Sequence, residues 1–321
     1  LKSSKIGIFA LSLNPDPTAL NKFKNRISWD SLDKELLSKH LQICIEEDLG
    51  KNFDRQRFSD LDITTKNCQL EGEGCAELVT REPMIICGLQ LIPLIIEEFK
   101  DGTVVFHANF QDGEFVEPNQ TIGKLVGPEN EILIIERCAL NFLQRLSGIA
   151  TKANEFVSKI EDHGVGLLDT RKTTPGLRLL EKYASACGGC YNHRMGLFDR
   201  ILIKDNHLAA AGVTEGYGLE KFLCDIVSKN IGNLLIEIEI DKISQISPAI
   251  ESGVDAILLD NFTPAEIDQA VKEVQNKVVI EASGGITEES ISEFAKARPH
   301  FISTGAPIHS SRWVDIGLDW K

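Results

Sequence analysis

Two adjacent cations, Arg171 and Lys172, stand in the stretch LDTRKTTPG at residues 168–176 of an acidic chain. An apolar run, 165–168, leads into them, and a helical pattern follows from residue 177. This order places both cations where a buried strand ends. Arginine offers a planar fork that suits carboxylates, and lysine a compact point charge that suits phosphates. The pair therefore predicts a site for multiply charged anions.

The distribution of charge supports a small anionic ligand. The 321 residues carry a formal net charge of −14, which argues against nucleic acid or an anionic membrane as the main partner. Residues 137–207 nevertheless contain eleven Lys or Arg against seven Asp or Glu. No apolar run approaches the roughly 20 residues that a membrane-spanning helix needs. We therefore expect a protein that does not span a membrane and that has one locally cationic region.

The second half of the chain alternates apolar runs with helical patterns. The predicted strands are 165–169, 200–204, 233–240, 256–260, 278–282 and 300–304, and helical segments follow most of them. Such alternation predicts parallel strands joined by crossover helices, in an open doubly wound sheet or a closed barrel. Polar residues follow all six strands. Because only a barrel brings every carboxyl end to one mouth, we favour the barrel.

The first half of the chain has a different pattern of predicted helices and strands. Helical patterns cover 32–48, 89–99 and 131–160, β patterns lie between 75 and 126, and a polar loop covers 48–65. On the long helix, Arg137 and Arg145 fall on what we interpret as a solvated polar face. We therefore divide the chain into an extension, 1–30, an α/β domain, 31–150, and a barrel, 151–321. The last barrel elements are expected to mix with the first domain.

Acidic residues also follow a pattern. In IEIEI, 236–240, Glu237 and Glu239 share one strand face, which either faces solvent at a sheet edge or points into the barrel. Asp260 ends the next strand. Inward carboxylates at strand ends would hold a divalent metal, ribose hydroxyls or a developing positive charge. Lys204 is either their salt-bridge partner or an anion-binding or Schiff-base group.

Glycine-rich turns follow the last two predicted strands. SGG at 283–285 and TGAP at 304–307 stand at these strand ends, where backbone N–H groups can cradle a phosphate.

The eight cysteines are scattered, and Cys187 and Cys190 form a single CxxC pair. One pair is a weak metal or redox signal, so we predict ordinary reduced thiols in a cytoplasmic protein.

Seven motifs together resemble one known family, quinolinate phosphoribosyltransferase. They are ERCALNFLQRLSGIAT, LDTRKTTPGLRLLEKYA, GGCYNHRMGLFDRILIKDNH, IEIEID, LLDN, ASGGI and GAPIHSSRWVDIGLD. The resemblance covers most of the chain from about residue 32. It implies an α/β protein in which a sandwich-like N-terminal domain precedes a TIM-like α/β barrel with fewer than eight strands. It also implies phosphoribosyl transfer from phosphoribosyl pyrophosphate to quinolinate with decarboxylation, using Mg²⁺.

The resemblance assigns roles by position. The residues implied to hold quinolinate are Arg137, Arg171, His193, Arg194 and Lys204, and Thr170 is implied to bind substrate. Those implied to face the ribose, pyrophosphate and metal are Lys172, Glu239 and Asp260, with Glu239, Asp260 and Lys204 as the catalytic set and the two acids as direct or indirect Mg²⁺ ligands. Those implied to take the 5′-phosphate are Ser283, Gly284, Gly285, Thr304, Gly305, Ala306 and His309. The family also implies a homodimer or a hexamer in which Arg137 reaches the neighbour's site.

Other functions fit parts of the sequence. Lys204 in a barrel could serve a Schiff-base lyase, although the glutamates nearby would keep its amine charged. A family paralogue with another substrate, or a sensor of phosphorylated ligands, is also compatible with the motifs. Two segments depart from the family pattern and receive no assignment: the extension at 1–30 and the longer loop at 51–61.

Overall fold

A computed structural model of the chain describes residues 17–50, 61–70, 72–99 and 103–321. The predicted loop insertion at 51–61 lies almost wholly outside these residues, as does the first half of the extension. Every helix within the described ranges is too short or too polar to cross a bilayer.

The first half of the chain forms an antiparallel sheet packed against helices. The helices are α1 Pro17–Phe23, α2 Lys34–Leu49, α3 Ile63–Cys68, α4 Leu91–Glu98 and α5 Glu129–Ser158. The strands are β1 Glu73–Thr80, β2 Met84–Ile85, β3 Val105–Ala108, β4 Phe115–Val116 and β5 Thr121–Pro128. The main sheet has the order β12-β1-β5-β3, in which β12, Ile316–Trp320, comes from the end of the chain.

Helix α5 is the long connection between the two halves. Its apolar residues recur at helical spacing, and Ile132, Ile135 and Leu143 are buried against the sheet and α4. Ala153 and Phe156, near its end, belong instead to the core outside the parallel strands. Helix α5 therefore contributes to both hydrophobic cores and determines where the second half of the chain starts.

The second half alternates parallel strands with helices. The strands are β6 Gly166–Leu168, β7 Ile201–Ile203, β8 Ile236–Ile240, β9 Ala256–Asp260, β10 Val279–Ser283 and β11 Phe301–Ser303. The helices are α6 Arg178–Cys187, α7 Asp205–Ala211, α8 Gly216–Ser228, α9 Ile246–Ser252, α10 Pro264–Val274, α11 Ile291–Lys296 and α12 Ala306–His309. All six predicted strands are confirmed.

The sheet order β6-β11-β10-β9-β8-β7 is that of a six-stranded barrel with one seam open, between β6 and β7. The segment after α6 lies in this seam: Tyr191 donates its backbone N–H to Leu167 and accepts one from Asp169. The predicted α/β architecture is confirmed. The seam places the loop at 191–200 directly against the barrel interior.

The described part of the N-terminal extension, from residue 17 on, packs against the barrel. Phe23 of α1 is fully buried and stacks on Phe301 of β11, with ring centroids 5.3 Å apart. It packs in one cluster with inward residues of four further strands, which are Leu168, Leu235, Ala256 and Val279. Helix α1 therefore closes the amino-terminal end of the barrel, opposite the mouth where the polar strand ends meet.

The sequence pattern missed two short helices. The polar loop was expected to continue to residue 65, yet α3 begins at Ile63 because Asp62 caps it, accepting hydrogen bonds from the backbone N–H groups of Thr64 and Thr65. No helix was predicted directly after β7, yet α7 begins at Asp205 immediately after Lys204. Both helices are short, so hydrophobic periodicity carries little signal for them.

We expect Phe23→Ala to destabilise the protein by about 3–5 kcal/mol, because the truncation leaves a cavity beneath five strands. Tyr217→Ala, at a side chain that is 76% exposed, is the matched control and should change stability by less than about 0.5 kcal/mol. Urea denaturation midpoints measure both. Equal midpoints for the two variants would show that α1 does not close the barrel.

Candidate active site

Two arginines predicted to bind anions lie close together at the barrel mouth. Arg171 follows β6 and Arg194 lies in the seam loop, where its side chain is only 8% exposed. Burial and the neighbouring charge of Arg171 lower the pKa of Arg194. The Arg171 Nε is buried and has no hydrogen-bond partner within the described residues. Because a buried unpaired donor costs free energy, the arrangement is suited to an anion that would accept from it.

Asp169 holds the loop that carries Arg194. This fully buried carboxylate accepts hydrogen bonds from the Asn192 side chain at 2.7 Å and from the backbone N–H of His193 at 2.8 Å. It also accepts from Ser185 Oγ at 2.9 Å and forms an ion pair with the buried Lys182 of α6. One acid at the end of β6 therefore fixes both sides of the seam.

Glu181 plays the same part for the loop after Arg171. Its buried carboxylate accepts from the backbone N–H and the hydroxyl of Thr174, each at 2.8 Å. Arg145 of α5 pairs with the same carboxylate at 2.7 Å and also donates to Ser311 Oγ at 2.8 Å. The interpretation of Arg145 as part of a solvated face is wrong, because its side chain is drawn into this junction between the domains.

His193 lies below the arginines, and its two ring nitrogens have different partners. The Nδ1 atom accepts the backbone N–H of Arg194 at 2.8 Å. The Nε2 atom lies 3.6 Å from one carboxylate oxygen of Glu237 and 3.6 Å from one of Glu281. Burial lowers the pKa of His193, so the ring is neutral near pH 7 and carries its proton on Nε2.

Arg200 compensates the charge at the centre of the barrel. Its Nη1 donates to Glu237 at 3.2 Å, and its guanidinium lies 4.1 Å from the centre of the Phe23 ring. Burial raises the pKa of Glu237, but the hydrogen bond from His193 and the charge of Arg200 outweigh this and lower it to about 2. Burial, reinforced by the Glu237 charge, raises the pKa of Glu281 well above its usual range. One carboxylate and one carboxylic acid thus face His193.

His193, Glu237 and Glu281 are close enough to one another to be considered as metal ligands. A metal on Nε2 would require the proton on Nδ1, which already accepts the Arg194 N–H. The Arg200 Nη1 also lies 3.5 Å from Nε2 and would repel a cation. The geometry therefore favours a buried cluster without a metal, in which Arg200 compensates the charge of Glu237.

The mouth above this cluster carries the predicted catalytic residues. Lys204, at the end of β7, forms an ion pair with Glu239, which points to the same face of β8 as Glu237. Asp260 ends β9 on the inner side and accepts a hydrogen bond from the Asn261 side chain at 2.8 Å. The inward interpretation of the two glutamates is confirmed, with Glu237 buried and Glu239 half-buried at the rim.

The glycine turns after β10 and β11 line one cavity of about 490 Å³. The predicted phosphate residues that line it are Ser283, Gly284, Gly285, Thr304, Gly305, Ala306 and His309, and Thr170 and Lys172 join them. Gly284 has φ +96°, and a Cβ there would lie 2.3 Å from Asn261 Oδ1. Only glycine allows the turn to pass this close to the end of β9.

Arg137 is the one predicted residue that stands apart. It is exposed on α5, and it makes no hydrogen bond or ion pair with other residues in the described part of the chain. Its place in quinolinate binding stays a prediction that requires a second copy of the chain.

Comparison with known proteins identifies the family. The family model for the C-terminal domain of quinolinate phosphoribosyl transferase matches residues 149–319, and the model for its N-terminal domain matches residues 62–147.

The chain belongs to the quinolinate phosphoribosyltransferase family.

Relatives and solved structures agree with this assignment. A protein of Bacillus subtilis named probable nicotinate-nucleotide pyrophosphorylase (carboxylating) is 38% identical over 287 residues, covering 87% of this chain and 94% of that protein. One of the same name from Methanocaldococcus jannaschii is 38% identical over 296 residues, covering 89% and 98%. The structure of the nicotinate-nucleotide pyrophosphorylase from Francisella tularensis has a TM-score of 0.82 and 34% identity, covering 92% of this chain and all of that one.

Several residues that build the site escaped sequence reasoning. Asp169 and Glu181 were visible only as acids beside a cationic run, and nothing in their spacing pointed to the loops they hold. Arg200 opens a strand whose pattern gives no sign that its side chain turns toward Phe23. Glu237 is the exception, because alternation along β8 had already placed it on the face of Glu239.

We expect Arg200→Met to lower stability by about 3–5 kcal/mol, since Glu237 would be left as an uncompensated buried charge. The double variant R200M/E237Q should regain part of the loss, which a purely steric role for Arg200 would not allow. The folded-state pKa of Glu237 is depressed, so the stability it contributes is present above pH 4.5 and is lost as pH falls toward about 2. Denaturation midpoints at pH 7 and pH 4 should therefore show a smaller penalty at the acidic pH.

Proposed function

We propose that this chain transfers the phosphoribosyl group of phosphoribosyl pyrophosphate to quinolinate and releases pyrophosphate and CO2, giving nicotinate mononucleotide. The single observation that carries the proposal is the pair Arg171 and Arg194, held together at the barrel mouth with an unsatisfied buried Nε on Arg171. Quinolinate is a dianion, and guanidinium groups bind carboxylates through two parallel hydrogen bonds. His193, through Nδ1, fixes the backbone of Arg194, and Thr170 and Lys204 complete this side.

The second substrate is proposed to lie across the mouth from the arginines. Its 5′-phosphate would occupy the cavity between the two glycine turns, and Lys172, which lines the same cavity, would face the pyrophosphate. The reacting carbon would then lie above Glu239 and Asp260. As pyrophosphate leaves, positive charge develops at C1 of the ribose, and these carboxylates are placed to stabilise it.

The chemistry requires no nucleophile from the protein. The ring nitrogen of quinolinate attacks C1, pyrophosphate leaves, and the positive ring nitrogen then accepts the electron pair released when the 2-carboxylate departs as CO2. Lys204 forms an ion pair with Glu239, and this pairing opposes a Schiff-base role, because it engages the amine that would have to attack a carbonyl. Positioning and electrostatic compensation supply the catalysis.

Mg²⁺ is proposed as the metal. Glu239 and Asp260 end neighbouring strands and offer carboxylate oxygens, which Mg²⁺ takes together with water and substrate phosphates. Lys204 already neutralises Glu239, so Asp260 is the stronger candidate for direct contact and Glu239 for contact through water. When bound, the metal would compensate the charge on the leaving pyrophosphate.

The proposal includes a homodimer, alone or within a hexamer, in the cytoplasm. Arg137 supports shared sites, because it is exposed on α5 and stands apart from the mouth of its own barrel. A reducing compartment is supported by the eight free cysteines.

Purified protein with quinolinate, phosphoribosyl pyrophosphate and Mg²⁺ should release CO2 and form nicotinate mononucleotide, which chromatography resolves. Nicotinate should give no product, because it lacks the 2-carboxylate that the arginine pair would hold. A protein that uses nicotinate equally well would contradict the assigned substrate. Omission of the metal should reduce the rate strongly if Mg²⁺ compensates the leaving group.

Mixed dimers test the shared site. Arg137→Ala and Glu239→Ala should each abolish most activity in homodimers, since each removes one group from every site. Mixing the two variants should restore up to about a quarter of the wild-type rate, because random pairing gives half of the dimers one intact site of two. A mixture of Glu239→Ala and Asp260→Ala, both from the same barrel, is the control and should stay inactive. No recovery in the first mixture would place Arg137 outside the neighbour's site.

A further inference from the structure

The cavity proposed for the 5′-phosphate contains charges of both signs. Lys152 of α5 and Lys172 line it, but so do Glu288 and Glu289, which follow the glycine turn after β10. A phosphate dianion entering the cavity meets two carboxylates as well as two cations. Unless those acids are neutralised, they oppose the ligand that the glycine turns favour.

Glu288 is neutralised by two lysines, Lys152 of α5 and Lys159, which directly follows that helix. One carboxylate oxygen contacts Lys152, and the other lies 2.6 Å from the Nζ of Lys159, which also donates to the backbone oxygen of Glu288. Lys152 has a further partner in Glu155, at 3.0 Å. Of these four residues only Lys152 and Glu288 line the cavity.

This arrangement leaves one cation able to change partners. Lys159 can keep Glu288 compensated when Lys152 moves away, so the exchange uncovers no charge on Glu288. Glu155 also loses Lys152, but its side chain is 47% exposed and water can solvate it. Lys152 lies along the ring of Phe156, and its Nζ is 5.8 Å from the ring centre. The four-carbon side chain of Lys152 allows its ammonium group to move while the backbone stays in place. A phosphate dianion attracts this ammonium more strongly than a carboxylate does.

We propose that Lys152 is a binding residue for the 5′-phosphate of the phosphoribosyl substrate, and that Glu288 holds it in place and competes with the phosphate for it. The inference rests on the proposed function for the identity of the ligand, and on the shared cavity for the contact. Glu288 therefore sets how tightly the phosphate binds: a weaker hold on Lys152 gives a tighter phosphate complex.

The two partners of the ion pair should shift affinity in opposite directions. Lys152→Met should raise the KM for phosphoribosyl pyrophosphate about tenfold or more, the effect of losing a hydrogen bond to a charged group. Glu288→Gln should lower that KM severalfold, because it removes both the competitor and a repelling charge. The KM for quinolinate should change by less than about twofold in both. Lys272→Met, which deletes a surface cation paired with Asp268, is the charge-matched control and should change neither constant.

A structural role for the ion pair predicts something else. If Lys152 and Glu288 only hold α5 against the barrel, both substitutions break the same contact and should shift the KM in the same direction. That outcome, or an unchanged KM in Lys152→Met, overturns the proposal. Denaturation midpoints of the variants separate a loss of fold from a loss of binding.

Calorimetric titration of ribose 5-phosphate provides the readout that does not depend on catalysis. Weaker binding to Lys152→Met and tighter binding to Glu288→Gln support the proposal even if the wild-type protein fails to convert quinolinate, in which case only the proposed function falls. Equal affinity of wild type and Lys152→Met for ribose 5-phosphate contradicts the role assigned to Lys152, even if the enzyme proves fully active.

Discussion

The arrangement of the site depends on holding two arginines, one buried and one half-buried, close together in a protein whose net charge is −14. Arg171 and Arg194 repel each other, and the burial of Arg194 withdraws solvent that would screen its charge. Such a pair persists only if the chain fixes both loops by other bonds. It does so with buried acids that act on the loop backbones: Asp169 holds the loop of Arg194, and Glu181 holds the loop that follows Arg171. The Arg171 Nε is left without a partner in the described part of the chain, while Arg194 Nη1 donates to the backbone oxygen of Arg200.

The same requirement explains the centre of the barrel. Glu237 and Glu281 are fully buried beneath the mouth, which would be costly for two charged carboxylates. Arg200 compensates one of them, and burial keeps the other protonated. His193 is held between this cluster and the backbone of Arg194, so its orientation follows from groups on four separate segments. Phe23 of α1 packs against Arg200 and so contributes to the same buried cluster.

The phosphate side of the mouth is built on a different principle. Its glycine turns present backbone groups and need no buried acid behind them. Of the two carboxylates that line the cavity, Glu288 is neutralised by Lys152 of α5 and by Lys159 at the end of that helix. In the proposed function, one half of the site would bind through fixed guanidinium groups and the other through backbone and the ammonium of Lys152. This division suits a planar dicarboxylate on one side and a flexible phosphorylated sugar on the other.

The sequence by itself determined the alternation of strands and helices, the six strand ends that carry polar residues, and the inward face shared by Glu237 and Glu239. These follow from local period and composition, which each segment carries within itself. Family motifs named the residues of the site, and the fold gathers all of them except Arg137 around one barrel mouth. Only the tertiary structure decided which acids hold the arginine loops, because Asp169, Glu181 and Arg200 find their partners 7–37 positions away. It also decided that α1 closes the barrel, since a single buried side chain, Phe23, gives no periodic signal in the sequence. Contacts of this kind depend on where elements meet in space, and spacing along the chain does not encode that.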